Sequence, residues 1–535
     1  MSSSAPSSGA RLRPKKQQPK EDEVLPLTRA VPRLARPGRQ PEKVSKVAIF
    51  LGILVFCVVW NYFYRIHLRQ STTPGLWFPL STPIAPVPSQ VLEKTVCLSN
   101  GQTAMERAFR KRGWKIINVG SNSTILQDTH NCAKNGLASV IWTKKKHFGK
   151  MGVFKPWQRY SWIPHQNQMS MKSFMLINLL NRSRKVTHQP VSFVPETFIL
   201  PRNNPTLILN RLREQGGMNE PWVIKLAATD NGIGIAMLGP KSPELQTLIQ
   251  ILELPNQEIP QVMTKIRDQL VFNQPNDQRS PEDVQRARDR SESLNDDIIF
   301  QRYVCNELTF KGHKFDLRLY YLIASVNPLV VLYHDGSLRV ALGEYNSSDF
   351  SSTHDHLTNL GQNRAFKDAS ASFEDWKLEL EKHVKTNAEW FAHSSIITKN
   401  PLQHIRNQIK SSLAELIASV RHNAFEGFAF SESQEWPMEN GFSLMGADFI
   451  VDDRLNVYLT ETQSSPGLSD SLPVKKALNN LLLPNKVAIL EEVMDKQSRD
   501  QALLPLRNQG TFELIFTDDY QFTYTESRIS PGPCI

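Results

Sequence analysis

"GADFIVDDRLNVYLTETQSSPGLS", residues 446–469, reads as two short apolar runs folded about an acidic turn. Phe449, Ile450 and Val451 form one run and Val457, Tyr458 and Leu459 the other, with "DDRLN" supplying turn chemistry between them. The pattern predicts a β-hairpin. With pairing symmetric about Arg454 and Leu455, Asp448 lies opposite Glu461 and Ile450 opposite Leu459, because residues two apart share a face of a sheet. Gln463 then joins the Asp448/Glu461 face. Two carboxylates across a ladder repel unless something positive sits between them, and hard divalent cations take oxygen ligands of this kind. At this point two readings stand: a magnesium site, or an ordinary solvated hairpin with one acidic residue on each strand.

A chain of 535 residues with 40% apolar content is long enough for about three domains with real cores. Its cysteines, Cys57, Cys97, Cys132, Cys305 and Cys534, show no C-x-x-C spacing, which argues against a zinc site and a dense disulfide framework. Cys97 and Cys132 remain able to pair. The formal charge is +11, and residues 1–46 hold eleven Lys/Arg against four Asp/Glu. The remaining excess suits an acidic partner, a carboxylate-rich peptide or a phosphate, or is simply a soluble surface behind a basic tail. No nucleic-acid partner is expected.

Along the chain, residues 1–46 are rich in Ser, Pro, Lys and Arg without apolar periodicity and predict a disordered basic tail. "VAIFLGILVFCVVWNYFY" (47–64) predicts one transmembrane helix, within 47–66, with Trp60, Tyr62 and Tyr64 as an aromatic belt. The expectation is a single-pass membrane protein. Basic residues before the span favour a cytoplasmic N-terminus, whereas Arg65, His67 and Arg69 behind it leave the side of the membrane open. Prolines across 72–90 predict a stalk, within 67–92. Beyond it short apolar runs alternate with helical patterns, an α+β signal: "WKIINV" and "LASVIW" predict strands and "SFMLINLLNR" a helix in an N-terminal α/β domain, 93–200. Residues 268–297 carry charge and turn residues and predict a surface insertion, and 491–535 a C-terminal extension.

"PWVIKLAATDNGIGIAML" (221–238) places a strand ending in Lys225 before a loop with Gly232 and Gly234. Such a loop lets backbone N–H groups close on phosphate oxygens while the lysine supplies a compact charge, although G-x-G also serves plain hairpin turns. "IIFQRYV" (298–304) is an apolar strand running into Gln301, Arg302, Tyr303 and Val304. In "GHKFDLRLYYLIASV" (312–326), Lys314, Asp316 and Arg318 alternate, so a strand carries them on one face. Three charges at the start of so apolar a strand pack poorly and point to a ligand or an ion-pair network. Arg339 adds a cation on a later strand, and "HLTN" (356–359) brings Thr358 and Asn359 as polar loop groups.

The order K…GIGI, QRYV, GHKFDLR, LRVA, HLTN and GADF…LTETQSSPGLS resembles the tubulin–tyrosine ligase-like family, an ATP-grasp group of amino-acid ligases, over about residues 160–490, with "FVPETFILP" (193–201) similar to the stretch before the central domain. The resemblance implies an ATP-grasp-type two-lobed nucleotide cleft over 201–490. It implies that Lys225, Gly232 and Gly234 contact ATP phosphates, that Gln301, Arg302, Tyr303 and Val304 line the adenine pocket, and that Lys314 faces the nucleotide. Asp316 would belong to the nucleotide and metal site, and Thr358 and Asn359 would lie beside the phosphates. Arg318 and Arg339 would be catalytic, neutralising the acceptor carboxylate and its acyl-phosphate. Asp448, Glu461 and Gln463 would hold Mg2+. Lys172 resembles the family's N-terminal-domain lysine. The implied reaction joins a free amino acid, glutamate, to a carboxylate of tubulin or of another acidic protein.

Two departures bear on activity: Gln463 stands where the family has Asn, and Leu226 where it usually has Lys-Pro. They leave open a catalytically impaired ATP- or microtubule-binding module. An anchored ligase outside the cytosol, with sequons at Asn122, Asn181 and Asn346 available for glycans, is the other alternative.

Overall fold

The computed structural model of the protein describes residues 94–530, except 100, 121–130, 133–134, 143–156, 215, 230–231, 256–257, 273–279, 295, 351–352, 359–369 and 427–439. They lie within one unit, Thr82–Ile535. The expected tail at 1–46 and stalk at 67–92 lie outside the described residues.

Near the N-terminus, β1 (Thr95–Ser99), β2 (Lys115–Val119), β3 (Val140–Trp142) and β4 (Arg159–Tyr160) form a parallel sheet in the order β2-β1-β3-β4. Parallel neighbours need a crossover, here the helix Thr103–Lys111, which buries Met105, Ala108 and Phe109 and turns Arg110 outward. Both expected strands are present, and a disulfide joins buried Cys97 to Cys132. The predicted helix is present as Lys172–Arg182.

Next, β5 (Thr197–Leu200), β6 (Trp222–Leu226), β7 (Ile235–Leu238) and β8 (Ile298–Arg302) make an antiparallel sheet ordered β5-β8-β6-β7. Trp222 stacks on Phe300 across β6 and β8 at 4.4 Å, and the helices Pro243–Glu253 and Ile259–Ile266 bury Leu245, Leu248, Ile251 and Met263 in the same core. The 268–297 stretch is not wholly a surface insertion. Its first residues continue that helical path and bury Leu270 and Val271, because these apolar positions interrupt the charged run. Only the helix Pro281–Ser293, opened by a Ser280 cap on Asp283 N–H, is largely exposed.

The third sheet is antiparallel and seven-stranded: β9 (Thr309–Phe310), β10 (His313–Val326), β11 (Leu329–Val340), β12 (Ser370–Ala371), β13 (Ser443–Val451), β14 (Val457–Gln463) and β15 (Glu513–Thr517). β10 is buried on both faces. Leu317, Leu319, Tyr321 and Ile323 pack with Trp376 of the helix Phe373–Thr386 and Leu413 of the helix Pro401–Arg421. Tyr320, Leu322 and Ala324 pack with Val96, Phe109 and the helix Pro473–Ser498. Period two therefore puts Lys314, Asp316 and Arg318 on the second face, in line with Tyr320, as the alternation predicts.

β15 pairs with β11 over Val330–Tyr333, and the chain beyond it returns to the acidic hairpin. There Asn456 Nδ2 donates to Ile529 O at 2.8 Å and Arg528 donates to Val457 O at 3.1 Å.

The molecule is thus mixed α/β with several sheets. The membrane expectation is corrected. Among the described residues no helix is long and apolar enough to cross a membrane. Even Pro473–Ser498, at 26 residues, carries Lys486, Glu491 and Glu492 among its apolar positions. The 47–64 run lies outside the described residues.

Candidate active site

The acidic hairpin forms, with Asp448 opposite Glu461 and Gln463 opposite Gly446. Above that pair the register differs from expectation. A bulge between Asp448 and Phe449 puts Leu459 opposite Phe449 and Tyr458 opposite Ile450. The extra residue is Thr460, whose hydroxyl donates to Asp448 O at 3.0 Å. The turn is held by Asp452, whose carboxylate accepts from Arg454 and Asn456 N–H at 3.0 and 2.8 Å, with Leu455 at φ 61°.

One cleft between the second and third sheets is lined by Lys225, Gly232, Gln301, Arg302, Tyr303, Val304, Lys314, Asp316, Arg339, Thr358, Asp448 and Glu461. Gly234 follows at the loop's end: a Cβ there would meet Thr229 Oγ1 at 2.5 Å and Leu226 at 3.1 Å, at φ 77°. Leu226, one of the two departures, is a core residue packed beneath that glycine. Asn359 lies outside the described residues. Arg318 does not line the cleft; it sits behind it.

The charged groups form a chain. Arg318 donates to Asp448 at 2.9 Å, and Arg339 donates to Asp448 at 2.7 Å and to Asp316 at 2.6 Å. Thr358 Oγ1 donates to Asp316 at 2.6 Å. Burial alone would raise the Asp448 carboxyl, but the two guanidiniums hold it well below the usual carboxylate range. Glu461, by contrast, is half-buried, accepting from Gln463 Nε2 at 2.5 Å with Lys172 Nζ at 3.4 Å. Lys172 also donates to Thr229 O, 2.7 Å away, tying the glycine loop to the hairpin.

Lys225 Nζ donates to Gln301 Oε1 at 2.8 Å, and burial pulls its ammonium down to about 8, although Glu461 opposes this. Lys314 pairs with Glu307 and donates to Tyr303 Oη at 2.7 Å. Burial raises the Glu307 carboxyl against the pull of Lys314. Glu307, Thr229 and His356 line the cleft without having been singled out from the sequence, as do apolar Ile235, Met237 and Ile450. Only the i, i+2 spacing of Ile235 and Met237 carries a signal of a shared face.

The donor set suits magnesium. Among the described residues no three His, Cys, Asp or Glu side chains converge to hold a metal by themselves. A magnesium ion completed by nucleotide phosphates needs only one or two carboxylates; Glu461 faces the cleft half-buried, whereas Asp448 opposite it already accepts from Arg318 and Arg339.

The sequence pattern of the Tubulin-tyrosine ligase family matches residues 151–500. Protein polyglycylase TTLL10 of Rattus norvegicus is 27% identical over 263 residues, 45% of this chain and 36% of that protein. Inactive polyglycylase TTLL10 of Homo sapiens is 26% identical over 254 residues, 44% of this chain and 36% of that protein. Probable tubulin polyglutamylase TTLL9 of Bos taurus is 24% identical over 375 residues, 67% of this chain and 72% of that protein. The chain thus spans well under half of each of these two polyglycylases. With the match covering most of the folded body, the chain belongs to the tubulin-tyrosine ligase family.

Proposed function

We propose that the protein is an ATP-dependent ligase that joins glutamate to a carboxylate of tubulin through an acyl-phosphate, in an ATP-grasp-type cleft. One observation carries this reading: the glycine loop, the strand end Gln301–Arg302 and the acidic hairpin, from distant segments and two sheets, line a single cleft. The similarity to a protein named a probable tubulin polyglutamylase, over 67% of this chain, supports the choice of tubulin and of glutamate.

In the proposed reaction the acceptor carboxylate attacks the γ-phosphorus and ADP leaves; the glutamate amine then attacks the acyl carbon, loses a proton, and phosphate leaves. Lys225 and the N–H groups of the Gly232 loop bind phosphate oxygens, and Gln301 to Val304 receive the adenine. Arg339, facing the cleft, meets the incoming carboxylate. Arg318, placed behind, holds Asp448 in orientation. Asp448 and Glu461 would hold Mg2+ together with Asp316 nearby, and the Gln463 amide, which donates from Nε2 to Glu461, would have to turn its oxygen inward to join them; magnesium there would neutralise charge on the phosphates. The protein supplies positioning and charge neutralisation, with little acid–base work.

The test is incorporation of labelled glutamate, glycine or tyrosine into tubulin and acidic peptides, with ATP omitted as control. ATP-dependent incorporation of glutamate, lost in Glu461→Gln, is expected. A second reading, a nucleotide-binding module that does not ligate, is favoured by Gln463 and by the similarity to a relative named inactive. It prevails if MgATP binds and no amino acid is incorporated with any acceptor.

A further inference from the structure

β6 and β8 pair as far as Leu226 and Ile298, and one further rung, Ala227 N–H to Asp297 O at 3.1 Å, extends the ladder. There β6 leaves the sheet to become the glycine loop. The next backbone donor, Ala228 N–H, is buried and meets no carbonyl among the described residues. It meets the Asp296 carboxylate, at 2.8 and 3.0 Å from its two oxygens. Asp296 is itself 4% exposed. Its own N–H donates to Ser291 O at 2.9 Å, so it is fastened to the last turn of the helix Pro281–Ser293. The following loop residue, Thr229, is held by its hydroxyl on Leu226 O at 3.1 Å and by Lys172 on its carbonyl.

We propose that Asp296 is a positioning residue for nucleotide binding, its carboxylate taking over from the β-ladder at the point where the glycine loop departs and thereby fixing the direction in which that loop faces the cleft. The inference rests on the reading of 227–234 as a phosphate loop. It also explains the 268–297 stretch, whose return ends on the side chain that anchors the loop. A buried donor that loses its only partner is costly, so without this carboxylate the loop has reason to leave its position. The charged groups around Asp296 are Lys172, Asp297 and Arg267. Burial pushes its carboxyl up to about 6, while the Ala228 N–H opposes the rise. By reciprocity, taking up a proton weakens the bond to Ala228. The anchor therefore loosens as pH falls through about 6.

The experiment uses the full chain, natural and as Asp296→Ala, Asp296→Asn and Lys225→Ala. It measures MgATP affinity at pH 7.5 and 5.5 and the hydrogen exchange of amides 227–234. Expected at pH 7.5 is about ten-fold weaker binding in Asp296→Ala, with faster exchange confined to the loop. Asp296→Asn, which retains an acceptor oxygen, should lie between the two. From pH 7.5 to 5.5 the natural chain should lose more affinity than Asp296→Asn; ATP's own titration is common to both and cancels in the ratio. Unchanged loop exchange and affinity in Asp296→Ala overturn the inference while the phosphate-loop reading survives through Lys225→Ala. A natural chain that binds no nucleotide, with exchange still accelerated in Asp296→Ala, overturns the functional reading and this inference's link to the nucleotide together. A global loss of fold in Asp296→Ala leaves Asp296→Asn to decide, and equal pH dependence in natural and Asn chains then counts against the proposal.

Discussion

Asp448 and Arg339 meet at 2.7 Å inside the cleft, and the same guanidinium reaches Asp316. The carboxylate expected to hold a cation is thus already paired with protein cations, whereas its ladder partner Glu461 is half-exposed and neighbours Lys172.

The two acids should therefore respond differently to substitution. Asp448→Asn leaves two buried guanidiniums short of a charge partner and should destabilise the fold by about 3–5 kcal/mol, read as a lower urea midpoint. Glu461→Gln should leave that midpoint almost unchanged while abolishing MgATP-dependent thermal stabilisation. Equal midpoints for both variants would remove the distinction.

Acid unfolding follows from the same pair. The Asp448 carboxyl is lowered in the folded state, so its contribution is present above the unfolded value, about 3.9, and is lost as pH falls below it. Asp448→Asn should consequently flatten the loss of stability below about pH 4. An acid-unfolding slope identical to that of the natural chain would contradict this.

Lys225 sets an alkaline limit. An ammonium brought down to about 8 is charged at pH 7 and mostly neutral at pH 9, so MgATP affinity should fall several-fold across that interval. Lys225→Arg keeps its charge there and should abolish the decline. Parallel pH profiles for the two chains would show that Lys225 does not meet phosphate.

Gln463 is expected to tune the site. Its amide contacts Glu461, while the full charges reside on the two carboxylates. Gln463→Asn should raise turnover several-fold or leave it unchanged, and Glu461→Gln should lower it by orders of magnitude. An inert natural chain with an active Gln463→Asn variant would favour the impaired module.

Lys486 offers a test remote from the cleft. It is buried, has no hydrogen-bond partner among the described residues, and holds its ammonium 3.1 Å from the centre of the Trp142 ring, and burial lowers it well below the usual lysine value. The folded chain then holds this proton more weakly than the unfolded chain does, so stability rises with pH toward about 10.4. Lys486→Met should stabilise by about 1–3 kcal/mol at neutral pH and remove that rise. A destabilised variant would mean that the ring contact outweighs the burial of the amine.

Much of this arrangement was legible in the residues. Strict alternation in β10 announces a charged end on an apolar strand, and the facing of Asp448 and Glu461 is as expected, although about the observed turn period two alone would set Asp448 opposite Thr460 and the bulge restores the acid pair. The bulge at Thr460 was not legible, since it depends on which backbone carbonyl a hydroxyl finds. Glu307 escaped notice because its partner Lys314 is reached only when the chain folds back between them. Asp296 was hidden in a run of charges that looks like solvated surface, and only the departure of β6 from the ladder gives it a role. The 47–64 run reads as a span by hydropathy alone, and no helix among the described residues has that character.

The family match stops at residue 500, yet β15 lies beyond it. A chain trimmed to the matched boundary would lay bare Val330–Tyr333 as an open sheet edge, an invitation to pair with a second molecule. It would also strip Arg528 and Ile529 from the acidic hairpin's turn. Shortened preparations should therefore oligomerise and lose nucleotide affinity even though every motif residue is retained.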